Sequence, residues 1–324
     1  MTQAIRIHRT GGPDVLQWEE HPLPAPEAGE IRVRHRAVGV NYIDIYHRTG
    51  AYPLPLPSGI GVEGAGVVEA VGEGVAHFAP GDRVVYAGGP PGAYATERLL
   101  PAARAVRLPD AISDETAAAL FFKGLTAEYL VRRCHAVKPG EVVLLHAAAG
   151  GVGTLMSQWL RHLGATTIGT VSSEAKAQHA RAHGCTHTID YRREDIVARV
   201  REITGGRGVD VVYDSVGRDT FSESLQCLRT RGLLVSFGIA SGPVPPLDVA
   251  ELGARGGLFV TRPSIAHYTA TREELDGGAR ALFGALASGV LQAEAPAVHS
   301  LRDAARVHEE LEAGRTVGAI VLVT

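Results

Sequence analysis

The residues Ala148-Ala149-Gly150-Gly151-Val152-Gly153 follow an apolar run, Val142–Ala147, and precede a helical pattern at Thr154–Leu163. They read AxGxxG, a form of the GxGxxG fingerprint with Ala148 in first place. A small first residue allows the tight turn, Gly150 lets the backbone approach a pyrophosphate, and Gly153 lets the helix pack on the strand. The helix N-terminus adds unpaired N–H groups and a partial positive charge. Ala149, Gly150, Gly151, Val152 and Gly153 are therefore candidates for binding a dinucleotide. An ordinary glycine-rich turn is the competing reading. The strand before, the helix after and the βα units that follow favour the dinucleotide.

The second strand of this pattern, Thr166–Val171, ends in Ser172-Ser173. An NAD site would carry Asp or Glu there, for the ribose hydroxyls. Glu174 is adjacent but reads as the first turn of a helix, Glu174–His183. Ser172 and Ser173 can donate to a phosphate, Lys176 can neutralise it, and Tyr191 can add a phenolic donor. Charge-assisted hydrogen bonds of this kind contribute about 1.5–3 kcal/mol each, enough for a tenfold preference for NADPH. Lysine is scarce: Lys123, Lys138 and Lys176 are the only ones among 32 basic residues. A solvated helix lysine is the plainer reading of Lys176.

These groups need a frame. Strands are expected at Val142–Ala147, Thr166–Val171, Thr186–Asp190, Val209–Asp214, Leu233–Phe237 and Leu258–Thr261. Helices are expected at Thr154–Leu163, Glu174–His183, Glu194–Thr204 and Thr220–Leu228. Alternating β and α with apolar strands predicts an α/β fold, a doubly wound parallel sheet of Rossmann type covered on both faces. The first 108 residues read differently. Short strands at Ala4–His8, Ile31–Val40, Gly64–Val71, Arg83–Tyr86 and Tyr94–Leu100 are split by Gly and Pro, as in a β-rich barrel or sandwich. The tail from Arg272 holds two amphipathic helices and two short strands. It is too small for a domain and is expected to return to the first one.

The bulk composition narrows the class. The chain has 324 residues, 45% hydrophobic and 21% charged, so it can bury a core. Its net charge of −3 has no basic block behind it, which argues against nucleic acid. The longest apolar stretch is broken by His146 and glycines, so no membrane span is expected. The N-terminus lacks the apolar core of a secretion signal. Cys134, Cys185 and Cys227 show no CxxC spacing, which disfavours disulfides and a structural metal. The expectation is a reduced cytoplasmic enzyme.

The stretch Gly140–Arg161, with Gln158 and Arg161, resembles the signature of the quinone oxidoreductase and ζ-crystallin family. Asn41-Tyr42-Ile43-Asp44-Ile45-Tyr46-His47-Arg48-Thr49-Gly50-Ala51-Tyr52 is similar to the same family. So are Gly61–Gly66, Phe122–Thr126, Asp214–Gly217, Ser236–Gly238 and Thr261–Ser264. The likeness runs the length of the chain. It implies a GroES-like catalytic domain from residues 1–122 and 262–324 around a Rossmann NADPH-binding domain at 123–261. One active site would lie in the cleft, and homodimers would form through the edge strands of the cofactor domains.

Zinc-dependent relatives place a Cys, a His-Glu pair and a third ligand in that cleft. Here the resemblance sets Asn41 at the Cys and Val62 at the His, with nothing suitable at Ala119–Phe121. No catalytic metal is expected, since three protein ligands are needed. None of the fourteen histidines is expected to form an i, i+4 pair with an acid, and His35, His47 and His77 read as loop or surface residues. Without a Lewis acid the acceptor must itself stabilise an anion. A quinone is the expected small-molecule substrate, with α,β-unsaturated aldehydes and ketones as the alternative.

Candidate donors to the developing oxyanion are Asn41, Tyr46, Tyr52 and Arg262. The resemblance puts Asn41 and Tyr46 beside the nicotinamide, Thr126 near the pyrophosphate, and Tyr52 and Arg262 at the cleft mouth. Ser215, Phe237, Gly238, Phe259 and Thr261 would line the cofactor, and Arg315 is a further candidate. Packing is the competing reading for the tyrosines, and a surface ion pair for Arg262. Asp44 reads as an orienting group. Lys123 reads equally as a buried structural partner or a cofactor contact.

Overall fold

The computed structural model describes residues 1–324. The chain divides into two compact units. The first comprises Met1–Leu125, Thr269–Phe283 and Ala293–Thr324; the second comprises Thr126–Tyr268 and Gly284–Gln292.

The second unit carries the βα alternation. Its strands are β9 (Val142–Leu145), β10 (Thr166–Val171), β11 (His187–Asp190), β12 (Val209–Asp214), β13 (Leu228–Ser236) and β14 (Phe259–Thr261). They form one six-stranded sheet in the order β11-β10-β9-β12-β13-β14, every pair parallel. Between them run α3 (Gly151–His162), α4 (Glu174–Ala182), α5 (Ile196–Ile203), α6 (Phe221–Cys227) and α7 (Val249–Ala254). Leu144, Ile168, Ile189, Val212 and Leu234 are buried with Val200, Phe221 and Leu225 from the helices. Apolar, β-branched strands are what a sheet covered on both faces requires. The chain order reverses between β9 and β12, which opens a crevice at the strands' carboxyl ends.

The first unit is β-rich. β1 (Thr2–Ile7), β2 (Gln17–His21) and β4 (Ser58–Gly59) form a three-stranded sheet. β3 (Glu30–Gly39), β5 (Glu63–Val71), β6 (Arg83–Ala87), β7 (Glu97–Pro101), β8 (Ala105–Arg107), β15 (Ala297–Ser300) and β16 (Ile320–Val323) form a seven-stranded one. The end of the tail joins it: β16 pairs antiparallel with β3, Leu322 opposite Val38. Ile31, Val33, Val84, Tyr94, Leu100 and Leu322 lie in its core.

Several expectations need correction. Helices stand where none was expected: the short α7 and a single turn at Ile265–Tyr268, and, of more consequence for the site, α1 (Tyr42–Thr49) and α2 (Asp114–Tyr129). The latter two had start signals: Asn41 with Asp44 three residues on, and Ser113 before Asp114-Glu115, whose Oγ accepts from the Thr116 N–H at 3.1 Å. Gly50 then ends α1 in the left-handed region at φ 84°. The expected strand Tyr94–Leu100 begins only at Glu97, because Tyr94 and Ala95 pair with β1 instead. α3 starts at Gly151, three residues early, so the end of the loop motif is already helix. Residues 123–125 group with the first unit, and 262–268 and 284–292 with the second. The first crossing falls inside α2, where a continuous helix offers no turn signal.

His35 and His47 are buried, contrary to the surface reading. His35 Nδ1 and Nε2 meet the Ala95 carbonyl at 2.7 Å and Tyr86 Oη at 2.7 Å. His77 is exposed, as expected. His179 on α4 and His183 at its end do stand four apart, their rings 4.3 Å from each other; that pairing was missed. The remaining helices are α8 (Ile265–Tyr268), α9 (Arg272–Ala287) and α10 (Ala304–Glu312).

Candidate functional site

In the second unit the expected cofactor residues sit at successive strand ends. The Ala148–Gly153 loop follows β9, Ser172-Ser173 follow β10, Tyr191 follows β11, Ser215 follows β12, and Phe237-Gly238 follow β13. The loop is built for close approach. A Cβ on Gly153 would sit 2.4 Å from the Ala147 carbonyl oxygen and 2.8 Å from Ala148 Cα. Ala148 is tolerated at the first motif position because β10 carries Gly169 opposite, where a Cβ would lie 2.6 Å from that of Ala148. Gly150 caps α3, whose first turn then points its N–H groups outward.

The end expected to meet the adenosine is basic. The Tyr191 N–H donates to the Val171 carbonyl at 3.1 Å, so Tyr191 and Ser172 are held side by side. Ser173 caps α4, its Oγ accepting from the Lys176 N–H at 3.3 Å, while its own hydroxyl hydrogen can still turn outward. Burial, and then the charge of Arg192, lower the Lys176 pKa. Two cations thus stand near one another at the end of this strand pair. Arg192 was missed in the sequence, although it adjoins Tyr191. Glu174 opens α4 and accepts from Arg181 at 2.6 Å.

The opposite half is a web of backbone contacts. The Asp214 carboxylate is fully buried and accepts from the N–H groups of Val216 and Gly217 and from the hydroxyls of Thr220 and Ser224. This fixes the turn carrying Ser215. The Phe237 N–H donates to the Asp214 carbonyl at 2.8 Å, and a Cβ on Gly238 would meet the Ser215 carbonyl oxygen at 2.4 Å. Arg262 Nη1 donates to the Ser236 carbonyl at 2.8 Å, so this side chain holds the Phe237–Gly238 loop. Thr261 pairs beside Val235, near that loop. Phe259 lies opposite Leu233 instead, about 10 Å short of Ser236 along the strand. Its side chain is 61% exposed. Thr126 is buried on α2.

In the first unit α1 presents the expected catalytic side chains. Asn41 precedes it, Tyr46 lies on it, and Tyr52 follows, its ring 5.1 Å from that of Tyr46. Arg315 is exposed in the turn after α10. Asn41 opens onto a buried polar cluster that the sequence reading did not assemble. Glu63, fully buried, accepts from Asn41 Nδ2 at 2.8 Å, the Phe122 N–H at 2.6 Å and Lys123 Nζ at 3.2 Å. Lys123 is thus a buried partner of Glu63.

Asp44 is also fully buried. Its Oδ2 accepts from the Asn41 N–H at 2.8 Å and Tyr94 Oη at 3.1 Å, while its Oδ1 has no hydrogen-bond partner. Burial pushes the Asp44 carboxyl up to about 7. Behind it, Arg48 donates to His308 Nδ1 at 3.3 Å and to Glu312 at 2.7 Å. A guanidinium cannot accept, so His308 carries its hydrogen on Nε2. That nitrogen then faces Tyr94 Oη at 3.1 Å as a donor. Burial, then Arg48, lower His308 to about 3. The donors therefore run one way, from Arg48 through His308 and Tyr94 to Asp44.

This donor set does not fit a zinc ion. Val62 offers no ligand atom, Asn41 has its nitrogen on Glu63, and the Lys123 ammonium already neutralises that carboxylate. No helix is long and apolar enough to cross a membrane.

Comparison with known proteins agrees with this geometry. Residues 27–110 match the family described as the alcohol dehydrogenase GroES-like domain. Residues 151–276 match that described as zinc-binding dehydrogenase. The chain is 51% identical to a quinone oxidoreductase of Salmonella typhimurium over 326 residues, all of both chains. It is 49% identical to a 2-haloacrylate reductase of a Burkholderia species, covering 100% of this chain and 99% of the other. The solved Escherichia coli quinone oxidoreductase complexed with NADPH superposes with a TM-score of 0.97 at 50% identity, covering 99% of this chain and 100% of that one. The chain belongs to the quinone oxidoreductase family of medium-chain dehydrogenases and reductases.

Proposed function

We propose that the protein is an NADPH:quinone oxidoreductase that reduces its acceptor without a metal. The observation that carries this reading is the basic pair Lys176 and Arg192 beside Ser172, Ser173 and Tyr191, where an NAD enzyme would hold an acid. NADPH supplies a hydride when bound. Ala149–Gly153 cradle its pyrophosphate at the start of α3, and Thr126 lies toward the same group. Ser215, Phe237, Gly238 and Thr261 line its ribose and ring with backbone, and Arg262 holds that loop in place. Phe259 and Arg315 are the outlying members of the set.

Asn41 and Tyr46 position the reacting ring, while Tyr46 and Tyr52 offer hydroxyl donors to the acceptor oxygen as it gains charge. With no Lewis acid among these residues, acceptors that stabilise their own anion are favoured, and quinones do so. The 2-haloacrylate reductase relative favours a second reading, an activated alkene as acceptor. The enzyme works in the cytoplasm as a homodimer in either case.

The test follows NADPH oxidation against an ortho-quinone and an α,β-unsaturated aldehyde, with a chelator present. Turnover with the quinone supports the proposal. Turnover with the aldehyde alone moves the protein to the alkene reductases.

A further inference from the structure

The reaction above uses Asn41 but gives no role to the charges buried behind it. Glu63 and Lys123 are 0% and 6% exposed. A buried ion pair is a weak source of stability, since desolvation offsets much of its attraction. Yet the chain makes room for this one. A Cβ on Gly39 would lie 2.2 Å from Glu63 Oε2 and 2.1 Å from the Ala118 carbonyl oxygen. Two well-packed apolar side chains would fill the same volume at no such cost.

What the pair does is visible at Asn41. The two ends of a side-chain amide have nearly the same shape, and only hydrogen bonding tells them apart. Glu63 Oε2 stands 2.8 Å from Asn41 Nδ2. The flipped amide would set two acceptor oxygens at that distance. A carboxylate here therefore permits one of the two orientations and forbids the other. Lys123 Nζ, 3.2 Å away, compensates the charge of that carboxylate so that it can stay buried.

We propose that Glu63 and Lys123 are a positioning pair that holds the Asn41 nitrogen against the protein, leaving its carbonyl oxygen to accept an N–H from the carboxamide of the nicotinamide ring. This rests on the reading of Asn41 as a contact of the reacting ring. It also revises the role of Asn41: it orients the ring as an acceptor and is not a donor to the acceptor's oxyanion.

The test compares NADPH with its 3-acetylpyridine analogue, which has a methyl ketone in place of the carboxamide and so no N–H to give. The readout is the ratio of binding affinities for the two reduced cofactors, titrated without acceptor, with the ratio of kcat/KM measured beside it. In the double variant Glu63→Gln with Lys123→Met the ratio should fall about tenfold, one hydrogen bond at the upper end of its usual worth. Asn41→Ala should give the same fall, and adding the double change to it should give no more. Should the double variant not fold, Glu63→Gln alone is read by the same ratios: it removes the charge that forbids the flipped amide, and the ratio should fall in the same direction. An unchanged ratio in a folded variant overturns the proposal, as does a further fall in the Asn41→Ala background. A wild-type enzyme that oxidises no NADPH overturns the functional reading itself, and this proposal with it.

Discussion

Lys176 is the single side chain on which the proposed cofactor choice rests. It is drawn close to Arg192 although like charge and burial both oppose its protonated form. A bound phosphate would relieve that repulsion, and a bare ribose would not. Replacing Lys176 by Ala should raise KM for NADPH at least about tenfold and leave KM for NADH within about twofold. Parallel initial-rate series with the two cofactors check this, and equal losses for both would refute it. Asp44 makes a second prediction. Its folded pKa of about 7 lies above the ordinary value of 3.8. The folded protein then keeps a proton that the unfolded chain releases. The associated stability is complete below the unfolded pKa and is lost as pH rises through the folded one. Asp44→Asn stays neutral throughout. Its melting temperature relative to wild type should therefore climb by a few degrees between about pH 4 and about pH 8. A difference that does not change with pH would contradict the assignment.

At the scale of elements, the strand-to-helix and strand-to-strand approaches rest on particular glycines. Gly39 ends β3 against Ala118 of α2 and Glu63 of β5. Gly39→Ala should push these apart at a cost of about 1–3 kcal/mol. Thermal melting should show a loss of several degrees, and an unaltered melt would show that the backbone yields freely. The βα half was legible because its strands are continuous apolar runs and its loop carries spaced glycines, so even Ala148 in place of glycine did not hide it. α1 and α2 were not read as helices. The eight residues of α1 are rich in tyrosine and isoleucine, which suit strands equally well. The Asn41–Glu63–Lys123 cluster was beyond reach for another reason. Its members are 22 and 60 residues apart along the chain, and only the pairing of β3 with β5 and the placement of α2 bring them together. Pairs like His35 and Tyr86, 51 residues apart, were hidden in the same way.

For the whole molecule, the six-stranded sheet ends at β14, an edge whose Phe259 is 61% exposed. An open apolar edge strand invites pairing with another chain. We expect the second copy to dock there, and Phe259→Lys should shift the mass measured by light scattering from dimer to monomer. A wild-type monomer would refute this. The proposed hydride transfer needs no metal, because Asn41 and Val62 stand where the resemblance puts the ligands of zinc-dependent relatives and Lys123 already neutralises Glu63. The most direct measurement is NADPH oxidation by chelator-dialysed enzyme with an ortho-quinone, before and after zinc is returned. Full turnover from the start and no gain on adding zinc are expected. Turnover that appears only with zinc would contradict the proposal.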